Sequence, residues 1–72
     1  MNTQKQKNAI LKACEAAGGQ SALTKALGLK SQGSISRWIA TGNVTAERVL
    51  EIERLTGVSR HLLRPDIYPA PQ

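Results

Sequence analysis

Cysteine and histidine are almost missing from this chain, with Cys14 and His61 the single examples of each. One cysteine excludes an intramolecular disulfide, and one histidine beside it excludes a zinc cluster of ordinary ligand count. Apolar runs stop at two or three residues, far short of a membrane span, and MNTQKQKN has no apolar stretch of the signal-peptide kind. A soluble protein in a reducing cytoplasm, with no membrane partner, is the setting these absences suggest. Aromatics are limited to Trp38 and Tyr68, too few for the row of stacking platforms on which single strands are held. No Ser/His/acid set is visible, and Gly18-Gly19 is not followed by the Gly-Lys-Ser/Thr of a phosphate loop. Neither an enzyme nor a bound cofactor or metal is expected.

Seventy-two residues make one small domain, spanning 1–72, near the lower size limit for an unstapled core. Its formal charge of +5 is unevenly placed. Residues 1–42 hold Lys5, Lys7, Lys12, Lys25, Lys30 and Arg37 against Glu15 alone. Residues 43–72 hold Arg48, Arg54, Arg60 and Arg64 against Glu47, Glu51, Glu53 and Asp66, and cancel. A phosphate backbone suits this asymmetry, because each neutralised phosphate releases counterions. The plainer alternative is that the lysines only solvate the first helix.

Helical signals recur along the chain and no strand pattern is convincing. A first helix is expected over about 4–17, with Thr3 and Gln6 as a capping box and Gly18-Gly19 as its stop. Its inward stripe reads Ile10, Ala13, Cys14 and Ala17, which makes Cys14 a packing residue. A second helix runs from Gln20 or Ser21 to Leu27 and buries Leu23, Ala26 and Leu27. Gly28 sits where a left-handed residue closes a helix, with Leu29 packing back. Ser31 caps a third helix over 32–40, and Thr45 caps a fourth over 46–56 that stops at Gly57. Ser59 caps a short turn over 60–63, after which Pro65 leaves an extended tail over 65–72.

The fourth helix contains an anomaly. Glu47, Arg48, Glu51 and Arg54 share its wet face, yet Glu53 falls in the middle of the apolar arc of Ala46, Val49 and Ile52. A carboxylate there needs a partner, Arg64 being the first candidate, or else must lean out into water. Leu50 and Leu55 widen that arc beyond the needs of one neighbouring surface, which suggests wrapping by the tail or a partner subunit. Tyr68 pins the tail to the core or sits at an interface, and His61 reads as an exposed or capping residue.

The most telling stretch is 20–40, two short helices around a glycine turn. On a 100° wheel Ile35, Trp38 and Ile39 converge on one face of the third helix. Gly33, Ser36, Arg37 and Ala40 take the opposite face, with Gln32 at its edge. A buried stripe backed by small, hydrogen-bonding residues suits insertion into a DNA major groove. Ala26 is expected to let the two helices cross closely, as a helix-turn-helix requires. The competing reading is a plain bundle in which Lys30 and Arg37 are solvated.

GGQSALTKALGL, the ISRWI helix, AERVLEIERLTG and the closing RHLLRPDIYP together resemble the Cro-like, YdaS-type helix-turn-helix proteins of phages and prophages. The resemblance covers about residues 13–69. It implies an all-α fold, a compact five-helix bundle of the lambda-repressor-like type. It also implies a transcriptional regulator in a lysis–lysogeny or toxin–antitoxin-like module of a bacterial cell or phage-infected host. By position, Gln20 falls on a phosphate-contacting residue that opens the second helix, and Gln32, Gly33, Ser36 and Arg37 fall where the recognition helix meets base edges. One departure concerns the turn. Ile35 follows Gly28 by seven positions where the family pattern implies six, so either the turn is longer or the third helix gains a residue.

On this basis Arg37 is expected to donate two hydrogen bonds to a guanine or to clamp a phosphate, with Gln32 suited to adenine and Ser36 to either kind of base. Gly33 and Ala40 act by being small. Gln20, Ser21, Lys25, Lys30 and Ser31 are expected on phosphates, and Asn43, with Thr41 and Gly42, on the backbone beyond the recognition helix. The expected partner is a double-stranded operator, met by a dimer formed alone or only on DNA. The alternative is an antitoxin or anti-repressor module acting by binding another protein. An apolar patch outside the core would favour it, and Leu50 and Leu55 are its candidates.

Overall fold

In a computed structural model, residues 3–69 are described, and they form five helices with no strand among them. These are α1 (Thr3–Ala17), α2 (Gln20–Ala26), α3 (Gly33–Thr41), α4 (Ala46–Thr56) and α5 (Arg60–Leu63). Helix α1 packs against all four others and so forms the spine of the bundle. One buried cluster draws on every helix: Ala9, Ile10, Ala13 and Cys14 from α1, Leu23 from α2, Ile35 and Trp38 from α3, Val49 and Ile52 from α4, and Leu63 from α5. Small residues on α1 let the neighbouring helices approach its axis, and burial pushes the Cys14 thiol up, so it stays a neutral packing group. No helix of the described residues is long and apolar enough to cross a membrane.

Gln6, expected in a capping box with Thr3, is turned into the bundle. It lies one turn before Ile10 on the buried stripe, and its amide donates across the bundle to the Gly42 carbonyl at 2.8 Å. The side chain of Thr3 lies outside the described residues.

Helix α2 turns a different face inward from the one its pattern suggests. Leu23 and Leu27 are buried as expected, but Ala26 is exposed and Thr24 is buried in its place. The Thr24 hydroxyl can be buried because it donates to the Gln20 carbonyl one turn earlier, at 2.7 Å. The close crossing of α2 and α3 expected at Ala26 is not formed: both helices pack chiefly on α1. Gly28, at φ 71°, ends the helix as expected. Its N–H donates to Lys25 and that of Leu29 to Thr24, which satisfies two carbonyls that the helix end would otherwise orphan.

Residues 27–32 are non-helical and α3 opens at Gly33, one position later than expected. The Ser31 hydroxyl still accepts from the Gly33 N–H at 3.3 Å. At the other end α3 runs through Thr41 and closes on Gly42, whose φ of 80° a side chain would strain.

Three further expectations fail because the groups concerned have found other partners. Thr45 flanks α4 but makes no side-chain cap; its hydroxyl accepts from the Trp38 indole N–H at 3.2 Å. Glu53 does not meet Arg64. It accepts the Arg60 backbone N–H at 2.8 Å and faces the Arg60 guanidinium at 3.8 Å. Arg64 instead donates to the Val44 carbonyl at 2.6 Å and grips Asp66 with two further bonds of 2.9 and 2.6 Å. The tail is consequently not extended after Pro65: residues 65–67 turn, with Ile67 and Tyr68 N–H groups bonded back to Arg64. Tyr68 then packs on the core beneath Arg60, and its carbonyl meets His61 Nδ1 at 2.8 Å. Ser59 caps α5 as expected, accepting from the His61 N–H. Residues 70–72 of the expected tail lie outside the described residues.

Candidate nucleic-acid interface

The orientation of α3 follows from its own pattern. Ile35 is fully buried, Trp38 is 4 % exposed and Ile39 is half-buried, so one side of the helix is fixed to the bundle. Gly33, Ser34, Ser36, Arg37 and Ala40 are consequently exposed, with Gln32 just before them. Three anchors lock that rotation: the buried Ile35, the indole bond to Thr45, and the Gln6 bond at the C-terminal end.

Four of the residues expected on phosphates gather at the turn. Ser21, Lys25, Lys30 and Ser31 line a groove of about 280 Å³ beside α2, together with Gln32, expected on a base. Gln32 Nε2 donates to Ser21 Oγ at 2.6 Å, joining the two helices across their open side. The two residues thus form one unit, in which the Gln32 amide oxygen accepts no hydrogen bond among the described residues. Gln20 opens α2 and is half-buried. The turn is tied from behind by Arg48, which donates to the Leu27 carbonyl at 3.0 Å and to Glu51 at 2.9 Å.

Asn43 stands apart from that groove, beyond the other end of α3. It is exposed, but its amide oxygen already accepts from Gln6 at 3.1 Å. Arg37 faces another recess, about 300 Å³ in volume, together with Gly33, Ser34, Trp38 and Thr45. Ser34 was not singled out in the sequence, and Thr45 was read only as a helix cap. Ser34 stands three residues before Arg37, hence on the same side of the helix, and that spacing was the available signal. Thr45 offered no such signal, because its role depends on a contact with Trp38 seven residues away.

Chemically the surface is one of donors. Lysines, an arginine, hydroxyls and amide groups surround a helix of small exposed residues, and no carboxylate lines either recess. Such a surface matches anionic, hydrogen-bond-accepting partners.

The fold defines a class: an all-α bundle, in which α2 and α3 are joined by a six-residue turn. Within that class, residues 10–72 match the model of a family described as bacterial toxin YdaS, and the chain belongs to that family. No curated protein and no solved structure matches it.

Proposed function

We propose that this chain is a sequence-specific binder of double-stranded DNA, acting as a transcriptional regulator and not as an enzyme. The carrying observation is that Ile35 and Trp38 face the core while Ser36 and Arg37 face outward on the same helix. A helix held in this way presents small and donor side chains to a groove without losing its anchorage. Arg37 reads a guanine through its two parallel donors, and the Gln32–Ser21 unit and Ser36 address neighbouring bases. Gly33 and Ala40 let the helix axis come close. Gln20, Lys25, Lys30 and Ser31 hold phosphates around the turn, and Asn43 holds one beyond α3. One such module covers half a site, so a second copy on the same duplex completes recognition.

A second reading draws on the family's description as a toxin and on the surface outside the core. Besides Leu50 and Leu55, Leu11, Leu62 and Ile67 are exposed. Five large apolar side chains in water support a protein-binding module, an antitoxin or anti-repressor.

Footprinting on the DNA flanking the chain's own gene, at two salt concentrations, separates the two. A protected palindrome with steep salt dependence supports operator binding. No protection even at low salt favours the protein-binding module.

A further inference from the structure

We infer that Gln6, deep in the bundle, aims Asn43 at a DNA phosphate and denies it the bidentate reading of adenine. The inference rests on the DNA-binding reading above. It begins with hydrogen-bond polarity. The Gly42 carbonyl can only accept, so the Gln6 atom 2.8 Å from it must be the amide nitrogen. That nitrogen also points at the Asn43 side chain, 3.1 Å away, and a donor there requires the Asn43 oxygen to face inward. The Asn43 NH2 group is therefore turned outward, and among the described residues it makes no hydrogen bond. One buried amide thus sets the direction of an exposed one 37 residues away in the chain.

Neighbouring donors at this end of α3 are already used. The Thr41 hydroxyl donates to the Arg37 carbonyl at 3.0 Å and accepts the Asn43 N–H at 3.2 Å. The Gly42 N–H donates to the Trp38 carbonyl at 2.7 Å. Asn43 Nδ2 is the donor left facing solvent, held from both its backbone and its side chain. A phosphate oxygen needs only a donor. Bidentate reading of adenine needs the amide oxygen as well, and that oxygen is taken by Gln6. Asn43 also stands beyond the end of α3, outside the helix proposed to read bases, so the contact assigned to this lone donor is to the DNA backbone and indifferent to sequence. Gln6 is a positioning residue, invisible to the DNA itself.

The test is a double-mutant cycle of Gln6→Met and Asn43→Ala, read as affinity for the footprinted operator and for an unrelated duplex, with melting temperatures measured alongside. Asn43→Ala should weaken both duplexes equally, by about three- to tenfold, the worth of one hydrogen bond. Gln6→Met should cause a similar uniform loss, and no further loss once Asn43 is alanine. Additive losses would make Gln6 a purely structural residue and overturn the inference. So would a loss on the operator alone, since Asn43 would then be reading a base. Should Gln6→Met fail to fold, ethylation interference with Asn43→Ala provides a second readout, in which one phosphate should drop out of the pattern. An unchanged pattern rejects the contact. If the unaltered protein binds neither duplex, the DNA-binding reading itself falls, and this inference with it.

Discussion

In residues 1–42 five of the six cations are lysines, and none of the six forms an ion pair among the described residues. In residues 43–72 all four are arginines, and three are tied down: Arg48 to Glu51, Arg60 to Glu53 and Arg64 to Asp66. Arg48 and Arg64 each also hold a backbone carbonyl, of Leu27 and Val44. The planar guanidinium can fasten two groups at once, which suits cross-linking. The ammonium is a hydrated point charge on a flexible stem, which suits a partner that arrives later. One region uses positive charge to close the bundle, and the other keeps it in reserve. Arg37 is the exception that joins them, a fork left exposed on the helix proposed to read DNA.

That contrast can be broken in several ways. The largest effect should come from the side chain on which the exposed region depends. Trp38→Ala empties a buried site and removes the bond to Thr45, and should cost about 3–5 kcal/mol in urea denaturation. A loss no greater than that of a surface substitution would mean that α3 is held by something else.

A tied arginine and the exposed one should then separate cleanly. Arg64→Ala leaves the Val44 carbonyl without its donor and should lower stability by about 1–3 kcal/mol. The folded protein should keep its affinity for DNA. Arg37→Ala should do the reverse, leaving the melting temperature alone and costing about 1–3 kcal/mol of binding at one base position. If both substitutions changed stability alone, the exposed fork would belong with the structural ones. Lys30→Ala has a smaller and sequence-blind effect: weaker binding to every duplex, with the salt slope reduced by roughly one.

The smallest effect concerns acid. Hydrogen bonds from Arg64 hold the Asp66 carboxyl below its ordinary value of 3.8. A depressed folded value means that the pairing contributes above the unfolded pKa and is lost as pH falls through the folded one. Thermal melts of the unaltered chain should therefore decline below about pH 4, where unfolded aspartate begins to take up protons. Asp66→Asn should flatten part of that decline while leaving neutral-pH melts nearly as they were. An unchanged acid limb would show that this pair is decorative.

Most of the helices were legible because their signals are local. Stripes with a helical period, and glycines where the backbone turns left-handed, located α1, α3 and α4 to within a residue or two. The buried face of α3 was legible for the same reason, since Ile35 and Trp38 leave little choice of rotation. Seven-residue α2 shows the limit. Fewer than two full turns carry too few apolar positions to fix a phase, and Thr24 displaced Ala26 once its hydroxyl found the Gln20 carbonyl. What stayed hidden was every bond between distant segments. Gln6 with Gly42, Arg48 with Leu27 and Arg64 with Val44 join residues 36, 21 and 20 apart. Periodicity tells which side a residue faces, not what waits there. Even so, Gln6 left a trace, as a polar residue in register with Ala9, Ile10 and Ala13 on an apolar stripe.

The indole of Trp38, sole of its kind in the chain, sits directly behind the helix proposed to enter the groove. Its ring nitrogen is tethered to Thr45, at the start of the next helix. The protein therefore carries its own optical gauge. Fluorescence excited at this one chromophore reports the seating of a single helix, so docking can be followed in unlabelled material and told apart from unfolding by the colour of the emission.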